Sequence, residues 1–339
     1  MKKFLIAFCI IACSCTNNKP ESGMLVKDYF APQDTGLQTA GIKMVPISTP
    51  VGNFHVWTKT IGNNPRIKIL LLHGGPAMTH EYMECFESFF PQEGFEMIEY
   101  DQLGSYYSDQ PTDSSLWTVD RFVDEVEQVR KALGFTKDNF YILGNSWGGI
   151  LGMEYVLKYP DNAKALIVSN MMASGPDYGK YNLELQKQMD KSTVDSIMLL
   201  QNTGQTNNPR FEALLDGYYH QHLCRLDPFP DPVLRSFKHI NQTIYTLMQG
   251  PSEFGISGRL LNWDIKDRLK EIKIPTLMIG AKYDTMDPEY IKWMSTQVQK
   301  GRYLYCPEGS HLAMWDDQKN YYPGVIQFIK DVDGGSFVK

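Results

Sequence analysis

Hydrophobic and polar positions change their period several times along the chain. Residues 54–61 (FHVWTKTI) alternate apolar and polar side chains, the two-residue period of a strand with one buried face. Residues 67–75 (IKILLLHGG) and 95–101 (FEMIEYD) carry short, largely continuous apolar runs, which suit strands covered on both faces. Residues 118–134 place Phe122, Val126, Val129 and Leu133 at helical spacing and finish on Gly134, a residue suited to ending a helix. A strand at 140–144 (FYILG), a helix at 147–159 that stops before Pro160, and a strand at 163–169 (AKALIVS) follow. Such alternation predicts a doubly wound, mostly parallel α/β sheet.

The pattern then changes. Residues 181–201, 209–225 and 232–250 read as helix-like segments with no strand between them. Alternation resumes with a strand at 274–284 (IPTLMIGAKYD), a helix at 288–299, a strand from Arg302 to about His311, and a closing helix near Pro323 to Asp331. A helical block inside an α/β series predicts a lid over the carboxyl edge of the sheet, where ligands of such sheets bind. The expected organisation is a core of residues 41–175 and 267–335 with a helical cap at 176–266.

Ahead of the core, residues 1–15 (MKKFLIAFCIIACSC) join two lysines to an apolar run too short to span a bilayer, then to small residues and cysteine, as an export signal does. Ile10, Ile11 and Ala12 before Cys13 resemble the lipobox of bacterial lipoproteins, with Cys13 as the lipidated residue. Cys15 is a second candidate, and a plain cleaved signal is the simpler alternative. Residues 16–40 then serve as a polar tether. Export and a lipid anchor to a bacterial membrane are therefore expected.

Across 339 residues, 42% hydrophobic content supports a substantial core, and the net charge of −6 with no basic run removes the electrostatic footprint of a nucleic-acid binder. Beyond the leader, Cys85, Cys224 and Cys306 are too few and too dispersed for a disulfide framework or a metal site and read as small core or subsurface residues. His220 and His222, two apart on a helix, point to different sides, so no metal is expected there.

Chemistry concentrates at Gly144-Asn145-Ser146-Trp147-Gly148, a GxSxG pentapeptide between a predicted strand and a predicted helix. The sharp turn that exposes a nucleophilic serine leaves no room for side chains two residues to either side. A serine hydroxyl needs a base, and the base needs a carboxylate to orient it. Asp284 ends one later strand and His311 follows the next, so both stand with Ser146 at carboxyl ends of strands, in the order serine, acid, histidine. An oxyanion requires preorganised donors. Trp147 supplies the N–H after the nucleophile, and Gly75, in the glycine loop after a buried strand, supplies the second. His73 reads as the residue holding that loop. Since His311 must be neutral to act as base, turnover is expected to fall in acid near pH 6.5.

HGGPA, YDQLGSYYSD, GNSWGG, GPSEF, GAKYD and GSHLAMW occur in the order found in prolyl aminopeptidases (proline iminopeptidases), serine peptidases of the α/β-hydrolase fold. The chain resembles that family from about residue 40 to residue 330. The resemblance implies the triad Ser146, Asp284 and His311, an acyl-enzyme route that needs no cofactor, and release of N-terminal proline or another small residue from peptides. It also implies that Glu253 of GPSEF binds the free N-terminal amine. Three positions depart from the family pattern. Thr285 replaces a glutamate that follows the catalytic aspartate in many members, with Asp287 nearby as a partial substitute. Ala77 and Tyr106 stand where glycines are usual. An esterase, lactonase or amino-acid amidase using the same triad is the alternative reading, and a non-catalytic binding protein on this fold is a more distant one.

Overall fold

The structure is a computed structural model that describes residues 41–338; the leader, the tether and Cys13 lie outside the described residues. Eight strands form one sheet in the order β1-β2-β4-β3-β5-β6-β7-β8. They are β1 (Ile42–Thr49), β2 (Gly52–Ile61), β3 (Lys68–Leu72), β4 (Glu96–Asp101), β5 (Phe140–Asn145), β6 (Ala165–Ser169), β7 (Pro275–Ala281) and β8 (Lys300–Cys306). β3 to β8 are mutually parallel, while β2 pairs antiparallel with both β1 and β4. The order reverses at β3, which pairs with β4 on one side and β5 on the other. The carboxyl ends of β3 and β5 thus border a switch point, the place where open α/β sheets hold ligands.

Both faces of the central strands are covered, which explains their continuous apolar sequence. Leu70 and Leu72 of β3 join a core with Val126, Ile150 and Met294, from helices α1 (Val119–Ala132), α2 (Trp147–Lys158) and α8 (Pro288–Gln297). Ile69 and Leu71, alternating with them, point the other way into a cluster with Phe86, Tyr321 and Phe328, from a 3-10 helix (His80–Ser88) and the final helix α9 (Gln318–Asp333). The Thr118 hydroxyl caps α1 at the N–H of Arg121, and Gly134 adopts φ 70° just past its end. Cys85, Cys224 and Cys306 are free and buried.

Between β6 and β7 the chain leaves the core at Ser174 and returns at Asp264, the two residues joined by an isolated antiparallel bridge. Five helices lie between: α3 (Gly175–Gln186), α4 (Lys191–Asn202), α5 (Pro209–His222), α6 (Asp231–His239) and α7 (Gln242–Met248). Leu185, Ile197, Leu200, Phe211, Leu215, Tyr218 and Phe254 give this block a small core of its own.

Several elements differ from the hydropathy reading. Residues 181–201 break into α3 and α4 because the Asp190 carboxylate accepts the Thr193 N–H and starts a new helix. Residues 232–250 break likewise at Asn241, which caps α7 and also donates its backbone N–H to Ala77 O across the cap–core boundary. The closing helix begins at Gln318, well before Pro323. β1 goes unread in the sequence because Pro46 interrupts it. As the edge strand it tolerates a residue that cannot donate to a ladder, while Val45 and Ile47 are buried.

Candidate active site

Ser146 occupies the one-residue link between β5 and α2 at φ 56° and ψ −126°, a backbone conformation that costs a non-glycine residue about 1–3 kcal/mol. The flanking glycines are there for want of space. A Cβ on Gly144 would lie 2.0 Å from Gly148 O, and one on Gly148 would lie 1.9 Å from Leu72 O. The turn is therefore wedged between β3 and its own helix, with the serine side chain turned towards the cap.

Asp284 follows β7 and His311 follows β8, and the two side chains meet. His311 Nδ1 lies 2.7 Å from Asp284 Oδ1, with both residues buried. The second carboxylate oxygen accepts from Asn170 Nδ2 at 2.8 Å, and the Thr285 hydroxyl lies 3.4 Å from the first. With Nδ1–H committed to Asp284, Nε2 of a neutral His311 keeps its lone pair. Ser146 Oγ makes no hydrogen bond within 3.5 Å among the described residues, a gap common in unliganded serine hydrolases that closes in the substrate complex.

Burial disfavours the charged form of His311, but Asp284, through its charge and its hydrogen bond, outweighs this, and Glu253 and Asp316 add to it. The His311 pKa consequently stands above its ordinary value. This corrects the expectation of an acid limb near pH 6.5. A base is active when deprotonated, so a raised pKa moves the loss of kcat/KM to higher pH. A substrate cation beside Glu253 would cancel part of that carboxylate's field, so the limb in kcat should fall at lower pH than the limb in kcat/KM. Full pH profiles of both parameters check this ordering, and coincident limbs at or below pH 6.5 would contradict it.

The glycine loop after β3 reaches Ser146 directly: a Cβ on Gly74 would sit 3.0 Å from Ser146 Cβ. Gly74 N–H donates to the Tyr82 hydroxyl at 2.6 Å, and Tyr82 donates onward to Asn145 Oδ1 at 3.0 Å. Gly75, at φ 107°, keeps its N–H without a partner in the chain, as does Trp147 at the first position of α2, among the described residues. His73 is fully buried and structural. Its Nε2 accepts from Gln102 N–H at 3.1 Å and its Nδ1 lies 2.9 Å from Gly74 O, while the Trp147 indole donates to Gln102 Oε1 at 2.7 Å.

A cavity of about 600 Å³ lies between core and cap, and Gly75, Ser146, His311, Tyr219, Tyr245 and Glu253 are among its lining residues. Glu253 is 9% exposed. Tyr245 donates to its Oε1 at 2.5 Å, the Tyr178 hydroxyl lies 3.4 Å from Oε2, and the Glu253 N–H donates to Tyr219 at 3.4 Å. Burial, reinforced by the Glu253 charge, pushes the Tyr178 and Tyr245 hydroxyls well above their ordinary pKa, so they remain donors. No lysine, arginine or histidine pairs with Glu253 among the described residues. A buried carboxylate with no salt bridge among the described residues, sensed by His311 only from a distance and facing a cavity, is electrostatically prepared for a cationic ligand.

The positions that depart from the family pattern each have a local explanation. Thr285 is buried against Asp284, and its carbonyl accepts from Asn182 Nδ2 at 3.3 Å. Asp287 does not substitute for the missing glutamate. Its carboxylate caps α8 by accepting the Glu289 N–H, and it does not line the cavity. Ala77 holds φ 61°, so the left-handed backbone usually given to glycine is retained without one. Tyr106 is half exposed and stacks on His239 of α6 with ring centres 3.9 Å apart.

Sequence reasoning missed Asn170, Tyr178, Tyr219 and Tyr245. Asn170 sits at φ 56° just past β6, at the strand edge that also presents the triad, and that position is the available signal. The tyrosines gave none, since each reaches Glu253 only through the tertiary fold.

Residues 68–318 match the family described as alpha/beta hydrolase fold. A proline iminopeptidase of Flavobacterium johnsoniae is 69% identical over 292 residues, covering 86% of this chain and 98% of the relative. One from Elizabethkingia meningoseptica is 66% identical over 297 residues, covering 87% and 100%. The crystal structure of proline iminopeptidase from Mycobacterium smegmatis superposes with a TM-score of 0.76 at 27% identity, covering 86% of this chain and 99% of that one.

Proposed function

The chain belongs to the proline iminopeptidase family of α/β-hydrolase enzymes, and on that premise we propose that it releases N-terminal proline from peptides by acyl transfer through Ser146. His311 Nε2 takes the Ser146 proton as Oγ attacks the carbonyl carbon of the first residue. The N–H groups of Gly75 and Trp147 receive the oxyanion. Collapse expels the amine of the remaining peptide, which takes its proton from His311, and leaves a prolyl ester on Ser146. Water, deprotonated by His311, then hydrolyses the ester and frees proline. Asp284 holds the imidazolium throughout, and no step calls for a cofactor.

The observation that carries the aminopeptidase reading is the carboxylate of Glu253, which has no salt bridge among the described residues, in the same cavity as Ser146 and His311. An N-terminal proline presents a secondary ammonium one bond from the carbon that bears the scissile carbonyl. A carboxylate at the nucleophile's cavity selects for it and against acylated termini. A free-amine prolyl amide should therefore turn over at least about tenfold faster than its N-acetyl form. Equal rates would identify a general acyl hydrolase.

We further propose that the protein is exported and lipid-anchored at Cys13. The reading rests on the apolar leader and on Ile10, Ile11 and Ala12 before that cysteine. Among the described residues no helix is long and apolar enough to cross a membrane. Metabolic labelling with a fatty-acid analogue, lost in Cys13→Ala, is the expected result. Labelling that survives in Cys13→Ala would move the anchor to Cys15, and an unlabelled wild type would reduce the leader to a plain signal.

A further inference from the structure

The cap does more than roof the cavity, because His222, on its third helix α5, touches both loops that carry the triad's acid and base. His222 is the last residue of α5 and is 5% exposed. Its backbone carbonyl accepts the N–H of His311 at 3.0 Å. Its ring Nδ1 lies 2.7 Å from the carbonyl of Tyr283, the residue before Asp284. A carbonyl can only accept, so Nδ1 carries the proton and donates. Burial lowers the pKa of the ring, so it stays neutral while it does so. Tyr218, one turn earlier on the same helix, packs against the imidazole with ring centres 4.8 Å apart.

The chain after α5 extends this contact. Leu223 O accepts from Leu312 N–H at 2.8 Å and from the Ser310 hydroxyl at 2.9 Å. Arg225 donates its backbone N–H to Asp316 at 3.0 Å and its guanidinium to Glu308 O at 2.7 Å, and lies 3.6 Å over the Tyr283 ring. The His311 loop is thus secured to the cap mostly through backbone groups, which survive side-chain replacement. On the Asp284 loop the cap's hold comes from side chains: His222 at Tyr283 O, and Asn182 of α3 at Thr285 O.

We propose that His222 is a positioning residue for the hydrolysis, its ring and its carbonyl together fixing the Asp284 loop against the His311 loop so that the acid–base contact is kept. The inference rests on the triad reading above. It makes the cap part of the catalytic alignment: with the ring bond gone, the aspartate loop can drift from the histidine while the cavity and Glu253 stay in place.

The test compares His222→Asn, which places an amide N–H where Nδ1–H stood, with His222→Phe, which keeps the ring packing on Tyr218 but cannot donate. His222→Phe is expected to lower kcat about tenfold or more with KM changed less than threefold, and His222→Asn to recover most of the loss. The acid limb of kcat/KM should also move to lower pH in His222→Phe, because His311, which faces Asp284, Glu253 and Asp316, is then held less closely against Asp284, the charge that most raises its pKa. Unchanged kcat and an unmoved limb in His222→Phe would overturn the proposal, as would a loss confined to KM or one that His222→Asn does not recover. Asp284→Ala is measured alongside. If it retains full turnover the triad reading fails; if it is inactive while the His222 variants match wild type, only the positioning role fails.

Discussion

Ser146→Ala is expected to lower turnover of a prolyl amide by about 10⁴- to 10⁶-fold while the protein remains folded and soluble. In the proposed route the hydroxyl forms the covalent bond to the acyl group, which contacts with Glu253 and the two N–H donors would not replace. His311→Ala should cost a similar factor, and the double variant little more, since serine and histidine act in one step. Residual turnover above about one hundredth of wild type in Ser146→Ala would rule out the nucleophile. A stability comparison at the same site tests the geometry separately. At φ 56° and ψ −126°, glycine is at ease and alanine is not. Ser146→Gly should therefore unfold at a free energy about 1 kcal/mol or more above Ser146→Ala, although both are inactive. Equal stability would mean that the turn stores no strain.

Glu253→Gln is expected to lower kcat/KM for a free-amine prolyl substrate by about tenfold to 150-fold and to leave the slow reaction of its N-acetyl counterpart nearly unchanged. That range corresponds to about 1.5–3 kcal/mol for a hydrogen bond to a charged group out of water. Glutamine keeps the volume and can still accept from Tyr245, so the cage of Tyr178, Tyr219 and Tyr245 need not collapse. The variant should also shift the acid limb of kcat/KM downward, because the Glu253 charge helps raise the His311 pKa. Equal losses on both substrates would turn Glu253 into a structural residue. An unchanged free-amine rate would place the amine elsewhere in the cavity.

The candidate triad was legible because each of its residues sits where a strand ends. Ser146, Asp284 and His311 follow β5, β7 and β8, and the parallel pairing of those strands with their neighbours presents all three at one edge. Apolar runs and spacing revealed those strands without any contact information. The supporting cast was hidden for the opposite reason. Asn170 reaches Asp284 across 114 positions, Tyr178 reaches Glu253 across 75 and His222 reaches Tyr283 across 61, so nothing in their local sequence reports the partner. Errors in the fold reading were local as well. Pro46 concealed an edge strand, and Asp190 and Asn241 capped new helices inside stretches whose apolar spacing looked continuous.

The crowding around Ser146 leaves that turn very little mutational freedom. Side chains at Gly144 or Gly148 would drive into backbone at 2.0 Å or less, so the turn that presents the nucleophile has almost no neighbours in sequence space. In the cap, a Cβ at Gly217 or at Gly255, two residues from Glu253, would meet nothing within 4 Å. Nearby Gly250 and Gly258 are not so open, since their Cβ atoms would lie 2.7 Å from Ser257 Oγ and 2.3 Å from Met248 O, so freedom near Glu253 is confined to particular positions.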